Sequence, residues 1–260
     1  MPRKYFPKRS KKNTRRRVYP KMSFKQRVLS VVKQQSEMKT TRLVHANTLS
    51  NNINATNGIF SLEPIINQGD TTYEREGNKI RLHKIEIIGY INWKPDPTQA
   101  EHSTFNSVYN SNNIVRMSVL KQRSCGSGTN VATNTPTGVF EHNNLLENSE
   151  PYNGTLQNSL TDFNRDAFIV KKDMRIKMSG SATFSNGQTV LDSSSDMLKK
   201  VKYTMRFGKA GKLISYRTAG ATSSTNFPYF LTQVAHNSWD GTPPTFLSTE
   251  LQVKWFYTDN

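Results

Sequence analysis

The chain has 260 residues, 34% hydrophobic and 10% aromatic, enough apolar material for one sizeable core; all-β sandwiches of about 200–250 residues are commonly single domains. Its formal net charge is +17, which points to a polyanionic partner. No stretch approaches the roughly 18 apolar residues of a membrane span, the basic N-terminus lacks the apolar segment of a signal peptide, and the lone cysteine, Cys125, excludes an intrachain disulfide or a cysteine-based zinc site.

The charge is concentrated at the start. Residues 1–33 hold Arg3, Lys4, Lys8, Arg9, Lys11, Lys12, Arg15, Arg16, Arg17, Lys21, Lys25, Arg27 and Lys33, and the first acidic residue is Glu37. The other 23 basic residues face all 19 acidic ones, so a nearly balanced globule carries a cationic tail. Such a block repels itself, stays disordered alone and binds polyanions. These thirteen cations are the candidate nucleic-acid contacts. Tyr5, Phe6 and Tyr19 lie among them and either stack on unpaired bases or anchor the arm. Residues 23–37 suggest a short helix. Ser23 and Gln26 form a capping-box pattern, and Phe24, Val28, Val31 and Val32 make an apolar stripe with most of the charges off it. The helix either lays that stripe on the globule and offers cations to phosphate, or is a bare linker. The expected division is therefore an arm with a helix over 1–38 and a shell-like domain over 39–260.

From about residue 39 the periodicity becomes two. Eight strands are expected, near 40–49, 58–62, 79–93, 113–122, 167–178, 199–217, 227–236 and 249–258. In 167–178, Phe168, Val170, Met174, Ile176 and Met178 share one face, and Lys171, Asp173, Arg175 and Lys177 the other. Val201, Tyr203, Met205 and Phe207 alternate with Lys200, Lys202, Thr204 and Arg206. Leu251, Val253, Trp255 and Tyr257 alternate with Gln252, Lys254 and Thr258. One buried and one wet face per strand indicates an antiparallel sandwich. The run 79–93 changes phase between Leu82 and Ile85, which implies either a bulge near His83 or Lys84 or a strand covered on both faces. The connections 94–112 and 123–165 are polar and turn-rich. The second is far above ordinary loop length, so it is functional or carries its own structure.

The chain offers few chemical motifs. His45, His83, His102, His142 and His236 form no helical metal-ligand spacing. The segments 126–130 and 208–212 contain glycines without a phosphate-loop context, and the second suggests a tight turn within a 199–217 hairpin. Ser124 and Ser127 lack a nucleophile elbow. Asp162 with Asp166, and Asp192 with Asp196, are weak cation candidates. No catalytic residue, metal or cofactor is expected. The basic strand faces say more: Lys171, Arg175 and Lys177, and Lys200, Lys202 and Arg206, are either solvated faces or phosphate contacts on the inner wall of a shell.

The layout itself is familiar. Clusters of Arg and Lys lead to Phe24, Arg27, Val28 and Val31, then to a compact eight-strand region and a turn carrying Arg75, Gly77, Asn78 and Ile80. This resembles the capsid proteins of the circular, Rep-encoding single-stranded DNA viruses, the circovirus-like group. The resemblance implies a single eight-stranded jelly roll, sixty copies of which close an icosahedral shell with the arms inward on the genome. It also implies a virion protein that visits the host nucleus, with residues 8–12 and 15–17 doubling as a localisation signal for import receptors. The expected partners are copies of itself and single-stranded DNA, with no membrane. The arm is less arginine-dominated than in many such proteins, which keeps a coat protein of a small RNA virus open. A cellular single-strand-binding protein with a basic tail and a β-sandwich enzyme or lectin are the other classes.

Overall fold

The structure, a computed structural model, describes residues 23–24, 37–50, 53, 58–93, 108–123, 145–147, 152, 155–185, 188–191, 198–218, 220–222, 224, 227–237 and 247–259. The chain divides into two units, residues 1–37 and 38–260. Of the first, only Ser23, Phe24 and Glu37 are described. The arm's thirteen cations and the stripe residues Val28, Val31 and Val32 therefore lie outside the described residues. The Phe24 side chain is 84% exposed.

Among its described residues the second unit is all-β apart from one short helix. Its strands are β1 (Lys39–Thr48), β2 (Ile59–Ser61), β3 (Lys79–Trp93), β4 (Val108–Gln122), β5 (Phe168–Ser185), β6 (Gln188–Leu191), β7 (Leu198–Arg206), β8 (Lys212–Ser215), β9 (Tyr229–Asn237) and β10 (Leu247–Asp259); α1 (Leu156–Leu160) lies between β4 and β5. They form two five-stranded sheets. The first runs β1-β10-β3-β7, with β8 also on β3; the second runs β2-β9-β4-β5-β6. Every pairing between these strands is antiparallel.

Alternation explains how the sheets meet. Ile85, Ile87, Val201, Leu251, Val253 and Trp255 of the first sheet share one apolar core with Val115, Met117, Val119, Met178, Leu231 and Ala235 of the second. Polar ties cross the same gap. Trp255 Nε1 donates to the Leu62 carbonyl at 2.9 Å, and the Thr249 hydroxyl donates to Gln233 Oε1 at 3.0 Å. Gly89 sits where β10 crosses closely, and a Cβ there would lie 2.0 Å from the Glu250 carbonyl oxygen. Gly89→Ala is thus expected to cost about 1–3 kcal/mol, as forced overpacking does; chemical unfolding of the variant beside the parent checks this.

The phase change in β3 is a bulge. Phe256 faces Lys84 and Tyr257 faces Leu82, leaving His83 as the extra residue. Ile80 and Leu82 thereby reach the same core as Ile85 and Ile87. A second bulge overturns the simple alternation expected of β5. Lys172 faces Val119 and Val170 faces Leu120, so Lys171 is extra. Phe168 turns to the outer side of the second sheet, while Met174, Ile176 and Met178 turn to the central core. The expected hairpin over 199–217 is also corrected. β7 pairs with β3 over Lys84–Asn92 and β8 over Lys79–Leu82. The two strands lie end to end along one edge of β3, not against each other. The residues between them step past the His83 bulge, with Gly208 and Gly211 at φ of 75° and 67°, where glycine is favoured.

The long connection after β4 carries its own structure. Leu145, Leu146, Tyr152 and Phe163 pack on Leu120, Phe168, Phe230 and Val234, making a second apolar cluster on the outer side of the second sheet. Thr155 caps α1 by accepting from the Asn158 N–H at 3.3 Å. Arg116 of β4, only 1% exposed, pins this segment down. Its Nη1 donates to the carbonyls of Asn158 and Thr161 at 2.8 and 2.7 Å. Its Nε and Nη2 grip Asp173 of β5 at 3.1 and 3.0 Å, and its guanidinium lies over the Phe163 ring.

Candidate nucleic-acid interface

The side chains of the first sheet that point away from the core form a basic plane. Strand register orders them into rows. Thr40, Phe256, Lys84 and Arg206 make one row, and Arg42, Lys254, Glu86 and Thr204 the next. Val44, Gln252, Ile88 and Lys202 follow, then Ala46, Glu250, Tyr90 and Lys200. Neighbours within a row are about 4.7–4.9 Å apart along the hydrogen-bonding direction. Six cations thus share this face with the carboxylates Glu86 and Glu250. Glu86 is engaged by Lys84 at 2.9 Å, and Lys84 also sits 3.7 Å from the centroid of the Phe256 ring. Lys200, Lys202, Arg206 and Arg42 are exposed. Burial of the opposite side of each strand is what forces these charges into one plane.

The six strand cations singled out from the sequence do not form one wall. Lys200, Lys202 and Arg206 lie on the outer face of the first sheet. Arg175 and Lys177 lie on the outer side of the second, with Lys171 exposed at its bulge. The two triads look out in opposite directions across the core, so only one of them can line an inner wall. Arg175 is also partly neutralised by Asp173, 3.4 Å away. Sequence reasoning missed Arg42 and Lys84 as companions of the β7 triad. Lys254 was already visible on the polar side of β10, but only the strand order brings the three together.

At the start of β1 the chain is fixed electrostatically. Lys39 Nζ lies 2.8 Å from Asp259 and 3.0 Å from Glu76. The hydrogen bond to Asp259, opposed by burial and helped by Glu76, holds the ammonium above its usual range. Arg75, from the turn that carries the family resemblance, is fully buried. It donates to the carbonyls of Ile66, Gly77 and Ala221 and lies over the Tyr216 ring, so it organises the turn.

Among the described residues no group of three or more His, Cys, Asp or Glu is placed to hold a metal ion. His45 contacts Gln233 at 3.1 Å, and burial lowers its pKa. Burial, with Arg81 nearby, lowers that of His83. His236 is buried between the Thr155 carbonyl and the Tyr152 hydroxyl. Asp162 faces Arg165 at 3.8 Å, and Asp166 is exposed in the following turn. His102, His142, Ser124, Ser127, Cys125, Asp192 and Asp196 lie outside the described residues. No described helix is long and apolar enough to cross a membrane. No known protein family matches the chain, and no curated protein does.

Proposed function

We propose that this chain is the capsid protein of a small icosahedral virus, which closes a sixty-copy shell around a single-stranded genome, DNA in preference to RNA. One observation carries the reading: an acid-free arm precedes a globule in which six cations share the outer face of the first sheet with only two carboxylates. A solvated enzyme or lectin has no need of either. The strand order favours a jelly roll, since each sheet interleaves strands from both ends of the chain, as two Greek keys rolled together do. The resemblance to circovirus-like capsid proteins points the same way. In this reading the plane holding Arg42, Lys84, Lys200, Lys202, Arg206 and Lys254 is the inner wall, and the arm reaches the genome beyond it. The β1 edge, which among the described strands pairs only with β10, is covered by neighbouring copies, as exposed edges must be. The basic arm also serves nuclear import before assembly.

The test is electron microscopy of the purified full-length chain mixed with single-stranded DNA. Closed particles of one diameter are expected. A monodisperse small species that binds the DNA without closing would place the chain among non-assembling single-strand binders instead.

A further inference from the structure

We infer that the cleft between β1, β10 and the segment before β3 is a nucleotide subsite that takes an unpaired base between Tyr73 and Phe256 and its phosphate on Arg42 and Lys254. The inference rests on the packaging reading and adds base stacking to it. The cleft has a volume of about 710 Å³, inside the range of about 300–1,000 Å³ usual for ligand sites. Its described lining is Thr40, Thr41, Arg42, Tyr73, Lys254 and Phe256, with two cations and no carboxylate. Arg42 and Lys254 are direct partners across the β1–β10 ladder, as are Thr40 and Phe256, so register fixes cations beside an aromatic ring. Tyr73 is 66% exposed, an aromatic that the core does not use. Nearby acids have partners: Glu76 pairs with Lys39, the Glu74 carboxylate accepts from the Thr71 N–H at 3.2 Å, and Glu86, opposite Lys254, pairs with Lys84. Phe256 is half-buried, with Lys84 3.7 Å from its ring centroid, so Tyr73 offers the open ring; a cationic groove with an exposed aromatic is how proteins bind single strands without reading sequence. A duplex keeps its bases stacked on one another, so the cleft selects unpaired ones.

The experiment uses the full-length chain and two oligonucleotides of equal length, one of thymidines and one abasic. Their affinity ratio separates stacking from the charge of the arm. Tyr73→Ala is expected to lower that ratio about fivefold, the low end of what one stacked base is worth, and Tyr73→Phe to preserve it. Photocrosslinking with 5-iodouracil in the strand should map to Tyr73 or Phe256. If the intact chain binds neither oligonucleotide, the packaging reading itself fails. If it binds both, but Tyr73→Ala leaves the ratio unchanged and crosslinks avoid both rings, the subsite alone is overturned. Unchanged affinity with loss of particles would make the cleft a contact between copies, which also overturns it.

Discussion

Deleting residues 1–33 is expected to remove most of the affinity for single-stranded DNA and most of its salt dependence, leaving the shallower slope that the cations of the first sheet supply. Each cation that meets a phosphate releases a counterion, and for single strands the slope of log affinity against log salt is about −0.7 per contact. Thirteen cations set a limit of about −9 by that figure, and partial engagement gives about −5. With a slope of about −5, a fourfold rise in salt weakens binding about a thousandfold. Replacing Arg15, Arg16 and Arg17 with Ala should shallow the slope by up to about 2 units. Phosphate contacts carry no base information, so unrelated sequences of equal length should bind alike. Circular dichroism should still report a folded β protein after the deletion. If the deleted form binds as tightly, with the same slope, the arm is not the genome-binding element, and the basic face of the first sheet takes its place.

Arg116→Ala is expected to cost about 3 kcal/mol, the lower end for breaking a buried ion pair by removing one partner. The loss strands Asp173 and leaves the carbonyls of Asn158 and Thr161 without the donor that holds them. The lower end applies because Asp173 is itself 22% exposed and keeps the Ser118 hydroxyl as a donor. Denaturant unfolding gives the cost, and hydrogen exchange should show the segment around α1 opening first. The pair also carries a pH signature. Burial pushes the Asp173 carboxyl up, but hydrogen bonds from Arg116 and Ser118 and the neighbouring positive charges outweigh it, so the pKa falls below the usual 3.8. A depressed carboxylate contributes stability that is complete above its unfolded value and is lost as pH falls through the folded one. The parent should therefore lose this contribution only below about pH 4, and Arg116→Ala should show a smaller acid transition, with the Ser118 hydroxyl and Arg175 still holding Asp173. An unchanged acid limb in the variant would mean that Ser118 and Arg175, and not Arg116, set the Asp173 pKa.

The parts of the fold legible in the sequence are those where one face is wet. β7 and β10 alternate cleanly because the outer face of the first sheet meets solvent, and the phase slip in β3 betrayed the His83 bulge because apolar residues changed parity there. In β5 the second bulge was hidden. Phe168 and Val170 face outward like the charged residues beyond the bulge, and Phe168 is covered there by Leu145, Leu146, Tyr152 and Phe163. Parity alone then reads as unbroken. Arg116 gave no local signal either, since its partner Asp173 lies 57 residues away and its burial depends on a connection that reads as loop. The basic plane was half legible. The β7 cations stand out within their own strand, whereas Lys84 joins them only through the pairing of β3 with β7 and Arg42 only through the pairings of β10 with both β1 and β3, which no local pattern encodes.

The central claim is that copies of this chain close around a genome with the basic sheet inward. Cryo-electron microscopy of nuclease-treated particles from the full-length protein tests it most directly. The expected result is an icosahedral shell of sixty copies containing protected single-stranded nucleic acid, with Arg42, Lys84, Lys200, Lys202, Arg206 and Lys254 on the inner wall. Particles that carry this face on their outer surface, or a protein that forms no closed particle with nucleic acid, would contradict it.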